Sequence, residues 1–275
     1  MSVLGGLIDA MAAAGIDPAN APMIADGRLR RFYLPQDRRE SRNGYITIHD
    51  NGDGTYGAAF GSWKHGVKET WFSGKPQREM TTDERREYAK NMEQRRRQQA
   101  EEQRQRHADA AEKARRLWQQ AQPAAADHRY LVQKQVQPHG LRQLGEALVV
   151  PVYTVAGKMT GLQFIQPDGG KRFLSGTEMG GCYHAIGPAP ASVLLLAEGF
   201  ATGATLHEAT GHPVAVCFFA GNLRPVAVAL RTRYPAITMV VCADADDAGR
   251  SAAQEAAKAV HGRWIEPDFS EKEIL

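Results

Sequence analysis

Val240-Val241-Cys242-Ala243-Asp244-Ala245-Asp246-Asp247-Ala248-Gly249-Arg250 sets three carboxylates within four positions, directly after an apolar run. The run, residues 237–243, has the length and composition of a buried strand. Crowded carboxylates are costly unless a positive partner stands among them. Two similar apolar runs lie upstream, at 193–197 and 214–219. Helical stretches follow all three, starting near Ala201, Leu223 and Asp247. Near-continuous apolar strands alternating with helices read as an α/β, Rossmann-like, mostly parallel sheet covered on both faces.

Right-handed crossovers bring the carboxyl ends of such strands to one edge, where ligands bind. Three segments fall on that edge: Glu198-Gly199, Ala220-Gly221-Asn222 and Asp244-Ala245-Asp246. Alternation along an extended tip turns Asp244 and Asp246 to one side, with Ala245 pointing away. Glu198 approaches them from a neighbouring strand. A hard divalent cation resolves the repulsion, and Mg²⁺ (or Mn²⁺ in its place) suits carboxylate oxygens. Such an ion stabilises charge in phosphoryl transfer. A second reading stays open, in which Asp246 or Asp247 is the N-cap of the following helix. Arg250, one turn into that helix, is placed to meet a phosphate or to pair with Asp246. Asn222 is a further strand-end candidate for a nucleotide contact.

"LLLAEGFATGATLHE" (residues 194–208) and "VVCADADDAGRSAAQ" (residues 240–254) resemble the strand-Glu-Gly-helix and Asp-x-Asp-x-x-Gly motifs of the TOPRIM domain, 46 positions separating Glu198 from Asp244. That domain is shared by bacterial replicative primases, type IA and type II topoisomerases and certain nucleases. Upstream, "LVVPVYTVAGKMTGLQFIQPDGGKRFLSGTE" is similar to the segment before TOPRIM in DnaG-type primases, and "FFAGNL" sits where primases carry a glycine-containing strand end. The likeness covers residues 128–275, and the layout resembles primase-like proteins of phages, plasmids and mobile elements. It implies Glu198 as the catalytic acid/base or a metal-bound carboxylate, and Asp244 and Asp246 as Mg²⁺ ligands. Lys171 and Arg172 would bind template backbone or nucleotide phosphates. Implied partners are single-stranded DNA, nucleoside triphosphates and a replicative helicase. The chain departs from the pattern at Gln163, where primases place a basic residue, and a later acidic motif is represented at best by Glu266-Pro267-Asp268. It has neither a zinc-ligand cluster nor a GxxxxGK[ST] phosphate loop, so no structural zinc and no fused helicase motor are expected.

The rest of the chain divides by composition. Residues 1–78 read as a small β-rich α+β domain: a short amphipathic helix rather than a signal peptide, then alternating runs separated by Gly and Asn turns. "DNGDG" at 50–54 is a turn whose spacing is too incomplete for a calcium loop. Arg28, Arg30 and Arg31 with Phe32, Tyr33, Trp63 and Trp71 offer charge and stacking surface for DNA. Phe32 and Trp71 suit the domain's own core better than Trp63, which stands beside Lys64 and His65, so Trp63 and Lys64 are the DNA-contact candidates of this domain. Residues 79–125 read as a long charged linker helix opened by a Thr81–Glu84 capping box, with eleven basic and eight acidic residues over 81–122 and few large apolar ones before Leu117 and Trp118. Residues 126–190 form a primase-core-like subdomain and 191–275 the TOPRIM domain.

Across all 275 residues the hydrophobic content is 43%, the charged content 24% and the net charge +3. These values fit a cytoplasmic globular protein and are too mild to prove a nucleic-acid partner. No apolar run approaches the roughly 20 residues of a membrane span. Cys182, Cys217 and Cys242 are isolated, and the latter two lie in strand-like runs as reduced, buried thiols. The leading function is a Mg²⁺-dependent, template-directed primase or primase-like nucleotidyltransferase. A TOPRIM nuclease and a non-catalytic DNA-binding replication adaptor are the alternatives.

Overall fold

The computed structural model describes residues 4–38, 41–52, 54–74 and 81–267. The chain divides into two compact units, Met1–Arg96 and Arg97–Leu275. The division falls inside a helix, α2 (Thr82–Gln120). Of the Thr81–Glu84 capping box, the Glu84 side chain lies outside the described residues.

The first unit contains α1 (Gly5–Ala13) and the strands β1 (Arg30–Phe32), β2 (Gly44–Asp50), β3 (Tyr56–Ser62) and β4 (Val67–Phe72). The strands form an antiparallel sheet in the order β1-β2-β3-β4. Period-two alternation sends Ile46, Ile48, Ala58 and Phe60 to one face, where they pack with Leu7, Met11 and Ile16. Phe32 is buried there and Trp71 packs on Gly6 of α1, as core aromatics. The β2–β3 connection is a turn: the Asp50 carboxylate accepts from the Gly52 N–H at 2.7 Å, and Gly52 and Gly54 hold φ of 68° and 80°.

In the second unit, β5 (Gln122–Pro123), β6 (Arg142–Leu144), β7 (Ala147–Tyr153), β8 (Met159–Ile165) and β9 (Lys171–Phe173) make an antiparallel meander in chain order. A second sheet joins β10 (His184–Ile186), β11 (Val193–Ala197), β12 (Val214–Val216), β13 (Thr238–Cys242) and β14 (Arg263–Ile265). Its order is β10-β12-β11-β13-β14, with β11 parallel to β12 and β13, β13 parallel to β14, and only β10 antiparallel. The crossovers are α4 (Phe200–Thr210), α5 (Ala220–Arg233) and α6 (Asp247–Ala259). The edge strands β10 and β14, three residues each, carry too little pattern to be read from sequence.

Alternation assigns each strand face its core. Leu195 and Ala197 of β11 meet Leu148, Val150 and Val152 of β7 between the two sheets. Leu194 and Leu196 face α5 and α6. The outer face of the meander, through Val149, Leu162 and Phe164, takes Ala114, Leu117 and Trp118 of α2 and Ala121 just after it. The charged helix expected over 79–125 is thus packed on this sheet along its last third. From Ala110 onward the helix is a docked core element, and His107 Nδ1–H donates to the Gly176 carbonyl at 2.8 Å. The docking stripe is built of alanines, which fit a close helix–sheet approach but add little to a hydrophobic pattern. All three cysteines are free and buried, and burial pushes the Cys242 thiol up to about 11.

A short helix, α3 (Arg129–Lys134), lies between β5 and β6 and is capped by a histidine. His128 Nδ1 accepts from the Tyr130 N–H at 3.2 Å and its Nε2–H donates to the Glu146 carbonyl at 2.9 Å, which fixes a neutral tautomer. His128→Ala removes the cap and the bond to the Glu146 carbonyl. We expect a stability loss of about 2 kcal/mol in chemical denaturation.

Candidate active site at the carboxyl edge of the parallel sheet

Glu198 is the first residue after β11, the central strand of the parallel sheet. Ala197 pairs in register with Cys242 of β13 and Val216 of β12, so the chain leaves three adjacent strands at one level. The Glu198 carboxylate therefore lies near the end of β13 and the start of α5, where the Ala220 N–H favours its ionised form. A helix amino terminus offers unpaired N–H groups and a positive dipole end to such an anion. Burial, then the negative charges of Asp244 and Asp246, raise the Glu198 carboxyl above its ordinary range; the Ala220 N–H and Lys171 counter them only in part.

Asp244 and Asp246 lie on the β13–α6 connection, Asp244 half-buried and Asp246 exposed. Both act on Glu198, so the structure brings the three predicted acids into one field. Asp246 is the N-cap of α6, accepting from the Gly249 N–H at 2.6 Å, as the second sequence reading has it. A carboxylate has lone pairs for this bond and for a cation. Gly249 is required by close approach: a β-carbon there would lie 2.9 Å from the Asp244 carbonyl oxygen and 3.1 Å from Asp246 Oδ1. The glycine lets α6 press against the loop that presents the acids.

The basic side of the site comes from the other sheet. Lys171 of β9 reaches the acids, its Nζ 3.7 Å from the place a β-carbon on Gly199 would occupy. Burial, then the charge of Lys134 on α3, lower the Lys171 ammonium below its ordinary range; Asp244 and Glu198 oppose that. Lys134 has no sequence signal, since only the fold brings α3 beside β9. Arg172, next on the strand, turns to the opposite face and stacks on Phe164 at 5.5 Å. Lys171 and Arg172 thus part company: the lysine joins the acids and the arginine does not.

Phe173 returns to the Lys171 face and meets Phe218 edge-on at 5.6 Å. Phe218 sits at φ 75°, a left-handed conformation that a bulky side chain rarely holds. The backbone strain lies at the end of β12, beside the acids, and strained residues concentrate in functional sites. Nothing in the local sequence announces it.

Asn222 is corrected. It is 1% exposed, and its amide is fully engaged: Oδ1 accepts from the Gly181 N–H, and Nδ2 donates to the Cys182 and Cys217 carbonyls, all at 2.9 Å. It clasps the loop before β10 to the end of β12 and, buried with both N–H groups engaged, has no donor left for a nucleotide. Arg250 pairs with Asp247 at 2.8 Å and Glu266 at 3.4 Å, not with Asp246. Both pairs are solvated and hold it weakly. Asp268 of the later acidic motif lies outside the described residues. In the first unit, Lys64 donates to Asp37 Oδ1 at 2.6 Å, and that hydrogen bond is the main influence holding the Asp37 carboxyl below its ordinary range. Trp63 stays 49% exposed.

The donor set at the acid cluster is all oxygen and underneutralised, which fits a hard divalent cation. Among the described residues no three His, Cys, Asp or Glu side chains close into a ready cage. That geometry is compatible with Mg²⁺, which commonly takes one or two carboxylates and fills its shell with water and substrate phosphate. Among the described residues no helix is long and apolar enough to cross a membrane.

Residues 193–269 match the Toprim domain family. The chain is 31% identical to a DNA primase TraC of Escherichia coli over 281 residues, which cover 93% of this chain and 25% of that protein. A second DNA primase TraC of Escherichia coli is 36% identical over 142 residues, covering 47% of this chain and 10% of its relative. The chain therefore spans a quarter or less of the length of these curated relatives. The crystal structure of the primase fragment of the bacteriophage T7 primase-helicase protein aligns with TM-score 0.42 and 15% identity, over 51% of this chain and 64% of that one. The DnaG catalytic core aligns with TM-score 0.36 and 16% identity, over 46% of each. Residues 193–269, with Glu198 and the Asp244–Asp246 pair at the edge of their parallel strands, are a Toprim domain in a chain similar to DNA primases.

Proposed function

We propose that the chain is a Mg²⁺-dependent, primase-like nucleotidyltransferase that joins nucleoside triphosphates on a single-stranded DNA template. The observation that carries this reading is the meeting of Lys171, from the meander, with Glu198, Asp244 and Asp246 at the parallel-sheet edge. A basic group and an acid cluster facing one another suit a substrate with a triphosphate and a reacting hydroxyl. Residues 191–275 then form the catalytic domain, and 126–190 the wall that holds nucleotide and template.

In the reaction the 3′-hydroxyl of one nucleotide attacks the α-phosphorus of the next. A new O–P bond forms, the bond to pyrophosphate breaks, and the hydroxyl proton passes to Glu198. A carboxylate with a raised pKa accepts and releases a proton closer to neutral pH than an ordinary one. Lys171 binds the triphosphate and offsets charge developing on the leaving group. Asp244 and Asp246 would hold Mg²⁺, which supplies electrostatic stabilisation of the phosphoryl oxygens when bound. Gly249 and the N-cap of α6 keep the two aspartates in place, and Phe173 and Phe218 wall the site on the lysine side.

The test uses purified chain, Mg²⁺ or Mn²⁺, labelled nucleoside triphosphates and mixed-sequence single-stranded DNA. New short strands that disappear in Asp244→Ala support the reading. Cleavage of the template without synthesis would replace it with a nuclease, and DNA binding without either product would leave an adaptor. Lys171→Met separates binding from structure. It should lower incorporation by about 100-fold, in the range for loss of one preorganised electrostatic donor. The same change removes a positive neighbour of the acids, so Mn²⁺ binding measured by titration should tighten.

A further inference from the structure

The first unit's sheet has one face packed on α1 and another that no described element covers, and charge sorts between the two. Alternation and register place Arg31, His49 and Lys68 on the uncovered side. The strand acids Asp50 and Glu69 fall on the other. Arg30, the strand cation on the α1 side, is paired with Asp26 at 2.6 Å. The uncovered face thus presents the charges of Arg31 and Lys68 and no strand carboxylate among its described residues.

Its relief is a trough. The middle strand β3 turns Gly57, Ala59 and Gly61 outward, while its inward Ala58 and Phe60 are buried. Gly57 faces open space, with Asn51 Nδ2 at 4.0 Å the nearest atom to a β-carbon there. At Gly61, which is buried, a β-carbon would collide with the Val67 carbonyl at 1.9 Å and the Tyr45 hydroxyl at 2.8 Å, so the trough is closed at that end and runs over Gly57 and Ala59. Across that glycine lies Tyr45, its hydroxyl donating to the Val67 carbonyl at 3.4 Å. Trp63 packs on Tyr45 with ring centroids 4.4 Å apart, and the Arg31 guanidinium sits 4.7 Å from the indole. A half-exposed indole beside a cation, at the end of a cationic trough, combines stacking with phosphate attraction.

We propose that this face is a docking surface for single-stranded DNA, with a base stacked at Trp63 and the backbone following the trough past Lys68 and His49. The small residues Gly57 and Ala59 leave room for an extended strand, and the charges of Arg31 and Lys68 match phosphates. The choice of DNA over RNA rests on the primase reading above; the surface itself does not depend on it.

The test is fluorescence anisotropy of the full chain with a labelled oligo(dT), an RNA oligonucleotide of the same length and a DNA duplex, across a salt series. Circular dichroism melts confirm that each variant is folded. Trp63→Ala should weaken oligo(dT) binding by roughly 10-fold with the salt slope unchanged, because stacking disappears and no charge does. Lys68→Glu should weaken it and make the slope shallower by roughly 0.7 for each phosphate left without its cation. Ala59→Glu, which sets a carboxylate on the floor, should act in the same direction. Wild-type affinity in all three variants overturns the proposal. If in addition wild type self-associates in sedimentation and Ala59→Glu does not, the face belongs to a second copy. Tighter binding of RNA or of duplex than of oligo(dT) overturns the assignment to single-stranded DNA. Nucleotide incorporation followed on the same samples keeps a failure of the primase reading distinct, since binding is read without it.

Discussion

Glu198→Gln is expected to lower nucleotide incorporation by about 10²- to 10⁴-fold, the range for removing a positioned proton-transfer group, while leaving the protein at least as stable as before. The two effects have one cause. Burial and the charges of Asp244 and Asp246 raise the Glu198 carboxyl, which means that its ionised form is disfavoured in the folded state. Folded pKa above unfolded pKa means the folded chain binds the proton more tightly. Stability therefore declines as pH rises through the window above the ordinary carboxyl value of 4.5. Glutamine keeps the shape and the acceptor for the Ala220 N–H but carries no charge. The variant should lose that part of the pH-dependent decline, and its melting midpoint near neutral pH should equal or exceed that of the parent. A functional site held against stability behaves this way. A variant that retains incorporation would remove Glu198 from proton transfer. One that unfolds would mean the carboxylate is a structural anchor.

Asn222→Leu should have the largest effect on stability and none on nucleotide recognition. Leucine is close in size, but it leaves the Gly181 N–H and the Cys182 and Cys217 carbonyls without partners in a site that excludes water. At about 1–3 kcal/mol for each orphaned buried group, the expected loss is on the order of 3–5 kcal/mol. For a unit of this size that lowers the melting midpoint by roughly 10 °C. The KM for nucleoside triphosphate, measured below the transition and corrected for folded fraction, should stay unchanged. A raised KM with normal stability would return Asn222 to the nucleotide role that its strand-end position suggests. Asn222→Asp tests the same clasp from the other side. It keeps an acceptor for the Gly181 N–H but sets a carboxylate against two carbonyl oxygens, so it too should destabilise.

Lys171 and Asn222 show how far one-dimensional reading extends. In sequence each is a polar residue beside a strand or hairpin end near the acids. Lys171 does reach the acid cluster, while Asn222 is a scaffold residue. The difference lies in burial and partner supply, which depend on the Gly180–Cys182 loop, 40 residues from Asn222 in sequence. Arg172 makes the same point at shorter range: strand alternation puts it on the face opposite Lys171, and that holds only because β9 is a strand in this register. The alanine stripe of α2 is invisible in sequence for another reason, because small side chains bury little area and leave almost no hydrophobic signal.

Sequence alone suffices for the parallel α/β sheet, the order of its crossovers and the three acids at one edge. Those features are local: apolar runs of strand length, helical stretches between them, and a handedness rule that sends every strand's carboxyl end the same way. Which charges meet is a matter of tertiary structure. The approach of Lys171 to Lys134 and to Glu198, the engaged amide of Asn222 and the placing of Arg31 and Lys68 on one face of the first unit all arise from segments far apart in the chain. Electrostatics and packing act through space, and sequence separation does not encode that distance.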